Sequence, residues 1–469
     1  MSGSVKAAGT EPITGSGYDR DWAKVDLSLV PHVAVTPPGP NSKAMHARAS
    51  KVMKGYSSQV RLFPVVFESG KGVTLTDVDG NTYIDFSSGI YVTSLGHCHP
   101  KVSEAVAKHA NTLMNCHDFT TPIKTALLEK MASVSMGDLN CMQFYSNGTA
   151  AVEAGLRICR AATGRTEFLS GFMDFHGKSY GAVSCARMDP SKGAVRAPGF
   201  HMVPRSYPYR PTFFKADGTE DVDALIAFME TYLVEACVGE VAAVVLEPIQ
   251  GWAGSVVPAE DYFPKLRAFC DKHGILLFAD EVLTCMGRTG KMFCMQHWDV
   301  LPDVMTLGKG FGNGFPVTAV LASQRFADSF AKISASTSYG GNPMACAAAL
   351  ASIEVIEEEN LLEHANELGQ FFEKRMAKMK EEHSIIGDVR NKGCLLGVEL
   401  VKDRESKEPF NEAGALVYQK AFEKGLAWIP AGHILRMSPP IIMEEEVAAR
   451  GMDIIDEAIG EVERELGAG

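Results

Sequence analysis

Between residues 100 and 340 the chain repeats one alternation: a short apolar run, then a longer amphipathic stretch. "MQFYS" precedes "AAVEAGLRICRAA", and "VAAVVLEP" precedes "YFPKLRAFCDKHG"; "ILLFADEV" and "DVMTLGK" follow. A strand that is apolar at consecutive positions has no face to give to water, so it must be covered on both sides. Strands of this kind separated by helices predict an α/β architecture with a mostly parallel sheet between helical layers. A chain of 469 residues is too long for one such core, and a second unit is expected.

Residues 1–45 are rich in Gly, Ser and Pro and end in "TPPGPNS". They read as an extension that is flexible or lies on a neighbour. "GVTLTDVDGNTYIDFSSG" predicts a hairpin turning at Asp79-Gly80. After Pro343 the texture changes. Leu361, Ala365, Leu368, Phe372, Met376 and Met379 keep helical spacing, the strand-like "CLLGVELV" and "ILRMSPP" follow, and a last helix starts near Glu444. The expected division is an extension (1–45), a first part of a smaller α+β domain (46–99), a large domain (100–343) and the rest of the small domain (344–469).

The net charge of −12 argues against a nucleic-acid groove or an anionic membrane surface as the main partner. Eleven cysteines stand singly with no C-x-x-C pair, which predicts neither a disulfide framework nor a metal site. No stretch reaches the apolar length of a membrane span and the start lacks an apolar leader, so a soluble, cytoplasmic protein is expected.

The stretch "DVMTLGKGFGNGFP" sets Lys309 in a mesh of glycines. Its spacing fits neither a P-loop nor a dinucleotide fingerprint. A solvated loop lysine and an amine held for bond formation remain as readings. Ligands of parallel sheets sit beyond the carboxyl ends of the strands, and three strand ends carry suitable groups. After Tyr145, small residues lead into a helix start at Gly148 and Thr149, a ready anion site. Asp280 and Glu281 end an apolar run, and a buried carboxylate there calls for a cation. Lys309 itself follows a third strand, where desolvation would lower its pKa. Together, an anion cradle, an acid for a ring nitrogen and an amine for an aldehyde match the needs of pyridoxal 5′-phosphate.

In that order and spacing the chain resembles the class III pyridoxal-phosphate aminotransferases of fold type I, the group that includes 4-aminobutyrate and ornithine aminotransferases. The resemblance runs from about residue 55 to 460. It rests on "DVDGNTYIDFSSGI", "LGHCHPKVSEAV", "FHGKSYG", "LEPIQGWAG", "FADEVLTCMGRTG", "LGKGFGNGFP", "SYGGNPMACAAA" and "LRMSPP". It implies that Lys309 forms the Schiff base with the cofactor aldehyde and serves as general base, and that Asp280 keeps the ring nitrogen protonated. Asn147, Gly148 and Thr149 fall in the phosphate loop. Phe175 and Val282 fall on the two faces of the ring, with His176 beside Phe175 and Glu247 on the active-site strand. Ser338 stands where relatives reach the phosphate of the neighbouring subunit, which implies a homodimer with shared sites. Arg436 matches the arginine that grips a substrate carboxylate.

Several positions depart from the pattern. Trp252 replaces the glutamate that hides this arginine in ω-amino-acid members; tryptophan cannot make that salt bridge, though it can lie over a guanidinium. Leu283 replaces a glutamine near the cofactor's phenolic oxygen. Asn147 and Ala150 alter the phosphate loop, and Tyr91 puts a phenol where relatives have a small residue. The expected function is amino-group transfer between an amino acid or amine and a 2-oxo acid. The alternative is racemisation, epimerisation or elimination of a single amino-bearing substrate on the same scaffold.

Overall fold

In a computed structural model, residues 20–187, 195–428 and 432–468 are described. The expected hairpin is present. It comprises β1 (Phe67–Lys71), β2 (Thr74–Asp77) and β3 (Thr82–Asp85), antiparallel in sequence, with Gly80 at φ 85° in the β2–β3 turn. That left-handed conformation is open to glycine without strain. Within the expected extension, residues 1–19 lie outside the described residues. His32 exchanges backbone hydrogen bonds with Thr82, and the Asn81 side chain accepts one from the Val35 N–H, so this part of the segment lies on the chain's own hairpin.

The large sheet contains β4 (Cys141–Tyr145), β5 (Glu167–Gly171), β6 (Phe200–Val203), β7 (Val241–Leu246), β8 (Leu276–Glu281), β9 (Val304–Leu307) and β10 (Thr318–Ala322). Their order across the sheet is β4-β10-β9-β8-β7-β5-β6. The run from β6 to β9 is parallel, and β10 alone runs against both its neighbours. Every residue of β7 and β8 is buried, because alternate side chains enter different cores. Leu277 and Ala279 pack with the helix Tyr262–His273, whereas Leu276 and Phe278 pack with the helix Gly148–Thr163. That two-residue period explains the continuous apolar runs.

The C-terminal part adds β11 (Ile386–Lys392), β12 (Leu395–Leu400), β13 (Leu426–Ala427) and β14 (Ile434–Met437). β11, β12 and β14 form an antiparallel sheet, while β13 pairs in parallel with β3. The six periodic positions from Leu361 to Met379 are all buried on one face of the helix Leu361–Glu382. The last helix runs Glu445–Leu466, and all eleven cysteines are free.

Candidate active site

The carboxyl ends of β5, β7, β8 and β9 converge, as ligand-bearing ends of parallel strands do. Asp280 is the penultimate residue of β8 and follows the parity of Leu276 and Phe278. Glu281 has the opposite parity, so it turns away from the site. Its carboxylate accepts hydrogen bonds from the N–H groups of Cys294 (2.6 Å) and Met295 (2.9 Å) and from the Thr284 hydroxyl (3.0 Å). Burial pushes its pKa up to about 7 despite these bonds. Glu281 anchors a turn; Asp280 faces the ligand side.

Asp280 is tightly held. Its Oδ1 accepts from the Thr306 hydroxyl on β9 (2.8 Å) and from the Val282 N–H (3.1 Å), and its Oδ2 lies 2.7 Å from His176 Nδ1. A carboxylate has about four acceptor positions, so one remains for a ring N–H. The other nitrogen of His176 lies 3.7 Å from Asp174, a buried carboxylate that accepts from the Gly171 N–H (2.8 Å) and Gln250 (2.7 Å). Burial disfavours a proton on His176, but pairing with Asp174 and Asp280 outweighs it and pushes the pKa up to about 10. Glu247 follows β7 and accepts from the N–H groups of Phe175 (2.8 Å) and Gly251 (3.0 Å). Burial, with the charge of Asp174 beside it, pushes Glu247 up to about 8.

Lys309 begins a 3-10 turn just past β9 and has a φ of 47°. It is half-buried, which sets aside the solvated-loop reading. The glycines pack rather than flex: a Cβ on Gly310 would come 2.7 Å from Ser94 Oγ, and one on Gly308 3.0 Å from Val282 Cγ1. Burial pulls the Lys309 amine below its ordinary value, opposed by the charges of Asp280 and Glu247.

The helix Gly148–Thr163 opens beside this turn. Asn147 caps it by accepting from the Ala150 N–H (2.9 Å); the other N–H groups of a first turn have no partner within the helix. Thr149 shares a hydroxyl hydrogen bond with Ser179, so the helix start is tied to the loop that carries Phe175 and His176. A Cβ on Gly177 (φ 130°) would strike Thr149 Oγ1 at 2.5 Å, which explains glycine there. Val282 touches the position a Cβ would take on Gly148, at 3.2 Å, so it stands between the helix start and the lysine turn. The parts fit pyridoxal phosphate. A helix N-terminus suits the phosphate, Asp280 keeps an acceptor position for a ring nitrogen, and Lys309 supplies an amine of lowered basicity.

On the other side, Arg436 lies in β14 and is only 2 % exposed. Its Nη1 donates to the Gly251 carbonyl (3.3 Å), while Nε and Nη2 are enclosed without a partner. The Trp252 ring lies 4.6 Å from the guanidinium carbon and the Tyr91 ring 5.4 Å. Trp252 also leans on Phe175, with ring centroids 5.7 Å apart. Leu283 is buried against Gly251. Tyr91 ends a run of four left-handed residues from Ser88, and its buried hydroxyl lacks a partner, as does that of Ser255. Burial raises the Tyr91 pKa, with Arg436 pulling the other way.

Ser338 is exposed, its carbonyl accepting from Asn115 (3.0 Å), and lies outside the group gathered around Lys309. Asp174, Thr306 and Ser255 were not singled out from sequence. Thr306 is the direct neighbour of Asp280 across the β8–β9 ladder, a signal available once the two strands are paired.

Residues 56–459 match the family model for class III aminotransferases. The chain is 37 % identical to a leucine/methionine racemase of Thermococcus litoralis, over 89 % of this chain and 96 % of that protein. It is 35 % identical to an acetylornithine aminotransferase of Methanosarcina mazei, over 87 % of this chain and 94 % of that protein. Its fold superposes on the ω-transaminase of Pseudomonas jessenii in complex with PMP with a TM-score of 0.85 at 26 % identity, covering 90 % of this chain and 99 % of that one.

Proposed function

Since this chain belongs to the class III aminotransferase family, we propose that it is a pyridoxal-phosphate-dependent aminotransferase whose donor and acceptor each carry a carboxylate beside the reacting carbon. The observation that carries this reading is Arg436, a buried guanidinium with two N–H groups open and no acidic partner among the described residues. Such a cation is costly unless an anion meets it, and a carboxylate meets it in two parallel bonds.

When bound, pyridoxal phosphate supplies the aldehyde and the electron-withdrawing ring that make bonds at the substrate's α carbon breakable. Lys309 would be its attachment point and the base that moves the α proton, and burial pulls its amine below the ordinary value, the direction a base needs. Asp280 holds a proton at the ring nitrogen, and His176 and Thr306 keep that carboxylate aimed. The N–H groups at Gly148 and Thr149, at the helix start, would receive the phosphate. Phe175 and Val282 would confine the ring. Glu247 fixes the chain around Phe175 and Gly251. Trp252 and Tyr91 wall the substrate side.

Homodimers with shared sites follow from the same reading, in which the exposed Ser338 would reach the phosphate of a partner subunit; sedimentation of the purified protein tests this. The division at residues 45, 99 and 343 is proposed with it, as is a cytoplasmic location. No helix among the described residues is long and apolar enough to cross a membrane.

A second reading, racemisation, is favoured by the racemase similarity and by Trp252, which leaves no carboxylate gate to switch between two substrate types. One experiment separates them. L-Leucine, L-methionine and L-alanine are incubated with the holoenzyme, with and without 2-oxoglutarate. Glutamate formed only with the oxo acid supports transfer; D-amino acid formed without it supports racemisation.

A further inference from the structure

We propose that Trp252 is a specificity-determining cover over Arg436, held by its ring alone and displaced by the carboxylate of an incoming substrate. This deepens the reading of Arg436 as a carboxylate site and rests on it.

The backbone around Trp252 is pinned and the side chain is not. Gly251 donates its N–H to Glu247 (3.0 Å), and its carbonyl accepts from Arg436 (3.3 Å). Three residues on, the Gly254 carbonyl accepts twice from Arg390, at 3.1 and 2.8 Å. Gln250 and Val256 close the loop in an antiparallel bridge. From this fixed base the indole reaches over the guanidinium at 4.6 Å while remaining 40 % exposed to solvent. It stands between Arg436 and the outside. Tyr91 backs the same cation at 5.4 Å. Arg436 is therefore fixed in place and covered without being neutralised.

The chemistry of the cover decides what displaces it. A carboxylate cover would match an incoming carboxylate in charge and hydrogen bonding, so opening would sacrifice an ion pair. An indole offers its π face only and takes neither of the open N–H groups. A carboxylate takes both. The exchange favours the ligand, and the freed indole stays beside Phe175 as an apolar wall. The device therefore admits substrates with one carboxylate next to the amine and an apolar side chain to pack on the indole. It has no acidic group with which to close Arg436 against them.

The test titrates the holoenzyme with isovalerate, a carboxylate that cannot react, and follows tryptophan emission. The other three tryptophans, Trp22, Trp298 and Trp428, sit deeper than Trp252, and Trp252→Phe removes the reporting ring while keeping an aromatic cover. The expected result is a saturable emission change in wild type that is absent in Trp252→Phe. In Trp252→Ala, acetate, which has no side chain to pack on the indole, should bind about 2- to 30-fold more tightly, measured by its inhibition constant, as the cover no longer competes. Arg436→Gln should lose isovalerate binding. If Arg436→Gln binds isovalerate as wild type does, the carboxylate reading falls, and the cover with it. If Arg436→Gln loses binding, but the Trp252 emission stays still on saturation or Trp252→Ala binds acetate no tighter, the cover alone is overturned.

Discussion

The two sides of the site differ in how their polar groups are satisfied. Around Asp280 the carboxylate meets His176, Thr306 and a backbone N–H, and Glu247 meets two more. Around Arg436, two guanidinium N–H groups are buried with no partner, and the buried hydroxyls of Tyr91 and Ser255 have at most each other. Buried polar groups normally find partners within the fold. On the first side only His176 Nε2, 3.7 Å from Asp174, is left without a hydrogen bond, and the rest needs only to receive a ring. The second is built to be completed by something else, and two open guanidinium N–H groups with no acidic partner among the described residues describe an anion.

The strongest way to break this contrast is at its covalent point. Lys309→Ala is expected to abolish turnover and the visible absorbance of the bound cofactor, read by spectroscopy and assay; normal turnover would remove the central assignment. Next in size, Arg436→Leu should lower kcat/KM for a carboxylate substrate roughly 30- to 1,000-fold. The same change should leave the melting temperature of the cofactor-free protein equal or higher, since it removes an unpaired buried cation. His176→Leu should lower that melting temperature, because it strands two carboxylates. Equal melting behaviour in the two variants would erase the distinction drawn above.

A smaller effect follows from proton linkage. Glu247 and Glu281 carry folded pKa values of about 8 and about 7 against an ordinary 4.5. A raised carboxyl pKa contributes stability that is complete below 4.5 and is lost as pH climbs through the folded value. His176, raised from 6.5 to about 10, adds a loss in the same direction over that higher range. The cofactor-free protein should therefore melt at progressively lower temperature from pH 5 to pH 10. Glu247→Gln should flatten the part below pH 8; an unchanged slope would count against the buried, protonated Glu247. Smallest of all, Asn147→Ala removes the cap of the helix Gly148–Thr163 and should cost about 1 kcal/mol in denaturant unfolding.

Much of this was legible before any coordinates. The large sheet announced itself because a strand buried on both faces has no polar residue to spare, and β7 and β8 are such strands. Lys309 stood out because only a tightly packed turn needs glycine on both sides of a lysine. What escaped notice is joined in space only. Asp174 and Ser255 are ordinary loop residues until His176 and Tyr91 are brought beside them. The reversal of β10 was equally hidden, because strand direction leaves no mark on a short apolar run. Trp252 could be seen as a missing glutamate, but its seat over Arg436 depends on β14 arriving from the far end of the chain.

The pairing of β3 with β13 has a consequence for biosynthesis. A strand made early in translation finds this sheet neighbour only when translation is nearly complete; His32 covers its edge at Thr82, but Ile84 and Phe86 must wait for the chain around β13. Trimming the chain after β12 would leave that edge open for good, and a nascent chain stalled there should be among the species that chaperones hold longest.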